Sequence, residues 1–142
     1  LIVQATMDAT SAHRLFTVEM RHAVEVGPDE TEHLETWLEK RMGRKMIVPQ
    51  LDDHGLTFIG GRLLPSGGQA AAQYMYEDAQ GERVTVYMAR TAAEARTSLR
   101  FLEDDDLTTV RWQDGPWVFF VVAPLEREKL SPIAAKVHDT LI

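Results

Sequence analysis

The chain contains no cysteine. Disulfides, cysteine zinc sites, iron–sulfur clusters and thiol nucleophiles are therefore excluded. It has no basic excess either: 15 Lys plus Arg stand against 22 Asp plus Glu, a formal charge of −7. A duplex nucleic-acid footprint needs clustered Lys and Arg, so no nucleic-acid partner is expected. No apolar run approaches the roughly 20 residues that cross a bilayer. What is present suits one globular domain: 142 residues, 44% apolar and 26% charged. A chain of that size buries roughly two-thirds of its unfolded surface without needing staples. It starts at Leu1, which suggests a fragment or a processed product. Leu1-Ile2-Val3 is then either the last rung of an upstream membrane helix or a chance apolar cluster.

Periodicity sets the expected order of elements. Residues 5–16 carry a loose helical pattern, and 20–26 read as a strand ended by Gly27-Pro28. The best-specified element follows. Asp29 and Glu32 have the spacing of a capping box. Leu34, Trp37, Leu38 and Met42 form one apolar stripe, and Gly43 is a natural stop. Residues 44–55 are irregular. Strands are then expected over 56–64, 70–78, 83–90, 97–103, 107–113 and 117–123. A mobile Ser66-Gly67-Gly68 loop and turns at Asp78–Gly81 and Asp114-Gly115-Pro116 separate them, and 91–96 reads as a linker or helical turn. The segment 117–123 is apolar on both faces, as a central strand covered on both sides would be. A last helix is expected with Ser131 as N-cap and Pro132 at its first position, and Glu126–Leu130 as a separate or kinked turn before it. Strands in runs with helices near both ends indicate an α+β domain. Its antiparallel sheet should hold about five to seven strands, packed by an early helix and a C-terminal helix.

Few residues offer chemistry. No histidine pair among His13, His22, His33, His54 and His138 has the spacing of a zinc helix. His22 and His33 would meet only through the fold, where two imidazoles can hold a metal; the plainer reading is structural or surface histidines. Gly60 and Gly61 interrupt a strand pattern just before Arg62. Such glycines mark either a bulge or a close approach of a ligand or partner backbone, with Arg62 as an anion anchor. Ser11, His13 and Ser66 lack the sharp strand–helix elbow of a serine hydrolase. The acidic run Glu103–Asp106 lacks a calcium-loop pattern and reads as a solvated turn. Trp37, Trp112, Trp117, Tyr74, Tyr76 and Tyr87 fall at positions whose period predicts core. No catalytic residue, metal site or cofactor site is assigned.

Several segments together resemble one family. They are RHAVEV (21–26), HLETWLEKRMG (33–43), Pro49 to Leu51, GLTFIGGRLLP (55–65), AAAQYMYEDAQGERVTVY (70–87), Trp112-Gln113-Asp114 and the terminal helix. They look like the C-terminal domain of bacterial transmembrane anti-sigma factors. Ala23 stands where that pattern has proline, and Gln50 where it has an acidic residue. The resemblance implies a membrane-proximal segment over 1–12 and a single extracytoplasmic regulatory domain over 13–142. A preceding helix would anchor it in the inner membrane, single-pass, with this domain in the periplasm. A cytoplasmic segment upstream of that helix would bind an extracytoplasmic-function sigma factor. The histidine and cysteine zinc ligands of many sigma-binding modules cannot be in this cysteine-free stretch. The domain would answer an unknown periplasmic signal or protein by binding, by homodimerising or by being cleaved. The expected contact surface is Gly60, Gly61 and Arg62, with His22 and His33 nearby. The competing reading is a freestanding small-molecule-binding module or an enzyme of unknown reaction.

Overall fold

The computed structural model describes residues 2–17, 26–66 and 68–142. The expected strand over 20–26 therefore lies outside the described residues except for Val26, and so does His22. Three α-helices are described: α1 (Ile2–Thr17), α2 (Thr31–Met42) and α3 (Arg127–Leu141). Five strands follow α2: β1 (Thr57–Ser66), β2 (Gln69–Glu77), β3 (Arg83–Arg96), β4 (Arg100–Asp104) and β5 (Leu107–Ala123). They form one sheet in the order β1-β2-β3-β5-β4, with every pair antiparallel. The architecture is α+β, with an early helix and a C-terminal helix on the sheet. The helix α1 crosses residue 12, and its Ala9, Ala12 and His13 are buried against the sheet.

Alternation decides what each face holds. Ala72, Tyr74, Tyr76, Val84, Val86, Met88, Phe119 and Val121 point to one side, where Leu34, Leu38 and Met42 of α2 and the apolar stripe of α3 cover them. Ala71, Tyr87, Ala89, Val118, Phe120 and Val122 point to the other, against Ala9 and Ala12 of α1. The segment 117–123 is thus buried on both faces, as its composition predicts.

Four local expectations are corrected. No side chain caps α2: a 3-10 turn over Pro28–Glu30 precedes it, and the Thr31 hydroxyl donates to the Pro28 carbonyl at 2.8 Å. Gly43 does end α2, its N–H donating to the Glu39 carbonyl. At the other end of the chain, α3 starts at Arg127 and runs through Pro132. Glu126 is extended, and its carbonyl accepts the N–H groups of Lys129 and Leu130. Burial of Leu130 one turn before Ile133 favours the longer helix. Pro132 faces solvent, where water can take the carbonyl its missing N–H leaves free.

The two other corrections share one cause. Residues 91–96 are not a linker but the outer part of β3, and Asp114-Gly115-Pro116 is not a turn between two strands but part of β5. The β3–β5 register slips between Arg90, opposite Trp117, and Ala95, opposite Gly115. Gly115 takes a φ of 62°, and Pro116 sits where no ladder partner is required. The side-chain amide of Gln113 fastens the irregularity, donating to the carbonyls of Ala93 at 2.6 Å and Gly115 at 3.0 Å. The strand bends hard here. Seven residues of straight strand span about 23 Å, yet the rings of Trp112 and Phe119 stack with centroids 5.3 Å apart. A straight strand would also place an even and an odd residue on opposite faces. The sequence signal for a turn was real, but it produced a corner inside one paired strand.

Candidate functional site

The glycine pair in β1 is built as a bulge. The β1–β2 register slips between Phe58 and Gly60, leaving Ile59 unpaired. Gly60 takes a φ of 145°, which disfavours any side chain. Gly61 has a different reason to be glycine. A Cβ there would lie 3.0 Å from Leu34 Cδ2 and 3.2 Å from the Gln73 carbonyl oxygen. Its backbone also pairs with Val26, N–H to carbonyl in both directions at 3.0 and 2.9 Å. The close approach at this site is made by the chain itself: α2 packs over Gly61, and Val26 takes its outer hydrogen bonds. The neighbouring Arg62 is half-buried opposite Gln73, on the face away from α2. His33 is exposed on α2. With His22 outside the described residues, the proposed histidine pair is not brought together among them. No group of three or more metal-ligating side chains occurs among the described residues.

Beside this bulge lies a cleft of about 560 Å3 between α2, α3 and the loop that leads to β1. Glu35, Val48, Pro49, Phe58, Tyr76 and Lys136 are among its walls. Two of its polar groups are already engaged in holding the loop. The Glu35 carboxylate accepts the Val48 N–H at 2.7 Å, and the Tyr76 hydroxyl donates to the Pro49 carbonyl at 2.6 Å. Burial pushes the Tyr76 phenol well above its ordinary value, so it remains a donor. Tyr74 is shifted upward by the same cause, with the Glu35 charge adding to it.

Two further positions escaped sequence reasoning. Arg44 was read as part of an irregular stretch. It turns inward, lies over the rings of Trp117 and Phe119 at 5.6 and 5.5 Å, and donates to the Leu141 carbonyl. Burial lowers its guanidinium from the usual value. It ties the end of α2 to the end of α3 across the aromatic core. His13 is the second. It is 3% exposed, and its Nδ1 lies 2.7 Å from the hydroxyl of Thr85, which is fully buried. Burial first, and then the Arg14 charge, lower its pKa to about 4. The imidazole is therefore neutral at pH 7 and serves as a hydrogen-bonding anchor for α1. No pattern in the sequence announces either role, because both depend on which elements meet.

The geometry defines a class: an α+β domain whose antiparallel sheet is covered on both faces, with its glycine bulge closed by its own chain. Comparison with known protein families, with curated proteins and with solved structures found no match to this chain.

Proposed function

We propose that this chain is the extracytoplasmic regulatory domain of a bacterial membrane-bound anti-sigma factor. The observation that supports the reading is the set of matching segments, and where they lie. RHAVEV ends at Val26, GLTFIGGRLLP contains the bulge, and HLETWLEKRMG is the body of α2. Val26, the last residue of the first, and Leu34 of the third both contact Gly61 of the second. Described residues from three of the motifs that suggest the family thus pack together at one point. In this reading the domain sits in the periplasm, linked through an inner-membrane helix to a sigma-binding segment, and it acts by binding, dimerising or being cleaved rather than by catalysis.

The test is to read the gene upstream of Leu1 and to delete it in cells. A run of about 20 apolar residues ending near Val3, and derepression of one sigma factor's regulon on deletion, are the expected results. An upstream start codon without such a run overturns the proposal.

The cleft beside Tyr76 favours a second reading, a small-molecule-binding module. A thermal-shift screen that finds a stabilising compound, lost in a Lys136→Glu variant, would replace the first reading.

A further inference from the structure

The two edges of the sheet are managed differently. At the β1 edge, Val26 occupies the hydrogen bonds of Gly61, and the bulge and Pro65 interrupt the rest. Further along the sheet, β4 pairs with residues 107–111 of β5, and no described strand pairs with the other side of β4. This strand reads Arg100-Phe101-Leu102-Glu103-Asp104. Arg100, Leu102 and Asp104 alternate onto one face, and all three are exposed. Leu102 is 39% exposed, unusual for a large apolar side chain at the centre of an edge strand.

Charge is separated along the strand. Its first residue, Arg100, stands directly opposite Arg111 of β5. Like charges facing each other across a ladder are destabilising, and neither arginine forms an ion pair among the described residues. Its other end runs into the acidic turn Glu103-Asp104-Asp105-Asp106. One end is therefore basic and the other acidic, with an apolar residue midway.

We infer that β4 pairs antiparallel with β4 of a second copy of this chain, about a two-fold axis through Leu102, to make one continuous sheet across the dimer. That register sets Arg100 opposite Asp104 of the second copy, twice. The two Leu102 side chains meet on the axis. The basic pair Arg100 and Arg111 then faces the partner's acidic turn, which relieves the like-charge contact inside each chain. A parallel strand in register would set like charge against like, and an antiparallel register slipped by two would lose both Arg100–Asp104 pairs, placing Leu102 opposite Arg100 or Asp104. The pairing is self-complementary, as a two-fold interface must be, and main-chain hydrogen bonds carry it. The inference does not depend on the proposed function.

The test is sedimentation equilibrium of wild type and two charge variants. Wild type should approach twice the 16.0 kDa chain mass as concentration rises. Arg100→Glu and Asp104→Arg should each raise the dissociation constant by about tenfold or more, because each sets like charges in register. An equimolar mixture of the two variants should restore association, since every cross-strand pair is then of opposite charge. Arg100→Glu also replaces the like-charge contact with Arg111 by an opposite one, so its fold should survive; its thermal midpoint at low concentration checks this. A wild type that stays monomeric at all concentrations overturns the inference. So does a dimer that neither variant weakens, or variants that fail to associate when mixed.

Discussion

On the face covered by α2 and α3 the sheet presents Tyr74, Tyr76, Trp112 and Phe119; on the face covered by α1 it presents Tyr87 and Phe120 together with the small Ala71, Ala89 and Thr85. The first face meets its two helices through its rings, with Arg44 lying over Trp117 and Phe119. The second meets Ala9 and Ala12 of α1 and adds a buried polar contact, His13 to Thr85. Large apolar contacts are insensitive to pH and are felt mainly as volume. A buried imidazole is held only while it remains neutral. The two faces should therefore fail under different conditions, although one sheet carries both.

The largest effect should come from the aromatic face. Phe119→Ala removes a fully buried ring stacked on Trp112 and should cost about 3–5 kcal/mol. Urea unfolding would show a lowered midpoint with little change in slope. A midpoint equal to wild type would break the comparison, since the ring would then carry no packing.

The α1 face should respond to acid. The folded pKa of His13, about 4, lies below its unfolded value of 6.5. In the window between them the unfolded chain binds more protons, so stability is complete above pH 6.5 and declines as pH falls towards 4. The loss attributable to this one group should reach about 3 kcal/mol. Stability curves of wild type and His13→Leu, compared over that window, isolate it from the carboxylates. Parallel curves would show that His13 does not anchor the face. At the rim of the same face, the Asp106 carboxyl is held below the usual range by its own backbone N–H and then by Arg14.

A smaller effect should appear where the first face meets the glycine bulge. Gly61→Val places methyl groups in space that Leu34 fills and should cost about 1–3 kcal/mol. Adding Leu34→Ala should cost less in that background than in wild type. Strict additivity of the two changes, in a double-mutant cycle, would show that α2 does not rest on Gly61.

Much of this was legible in advance, and the successes have a common physical basis. The α2 stripe, the Gly43 stop, the Asp78–Gly81 hairpin and the doubly buried 117–123 segment all follow from local period or turn chemistry. The Gly60-Gly61 break in the β1 pattern announced either a bulge or a close approach; the structure has the bulge at Gly60 and a close approach, by the chain itself, at Gly61. The misses were non-local. Gly115 and Pro116 look the same in sequence whether they end a strand or bend one; pairing with the outer half of β3 decided that they bend it. Ser131 and Pro132 have the form of a helix start, but the buried Leu130 moved that start back to Arg127.

The sequence alone determined the class of fold, the positions of most elements and the absence of thiol chemistry, because backbone preference and alternating burial are written residue by residue. Only the tertiary structure decided that Val26 closes the glycine bulge, that His13 is neutral and interior, and that one side of β4 is left unpaired among the described residues. Each of those depends on contacts between residues far apart in the chain, and no local pattern records which distant groups will share a dry, crowded space.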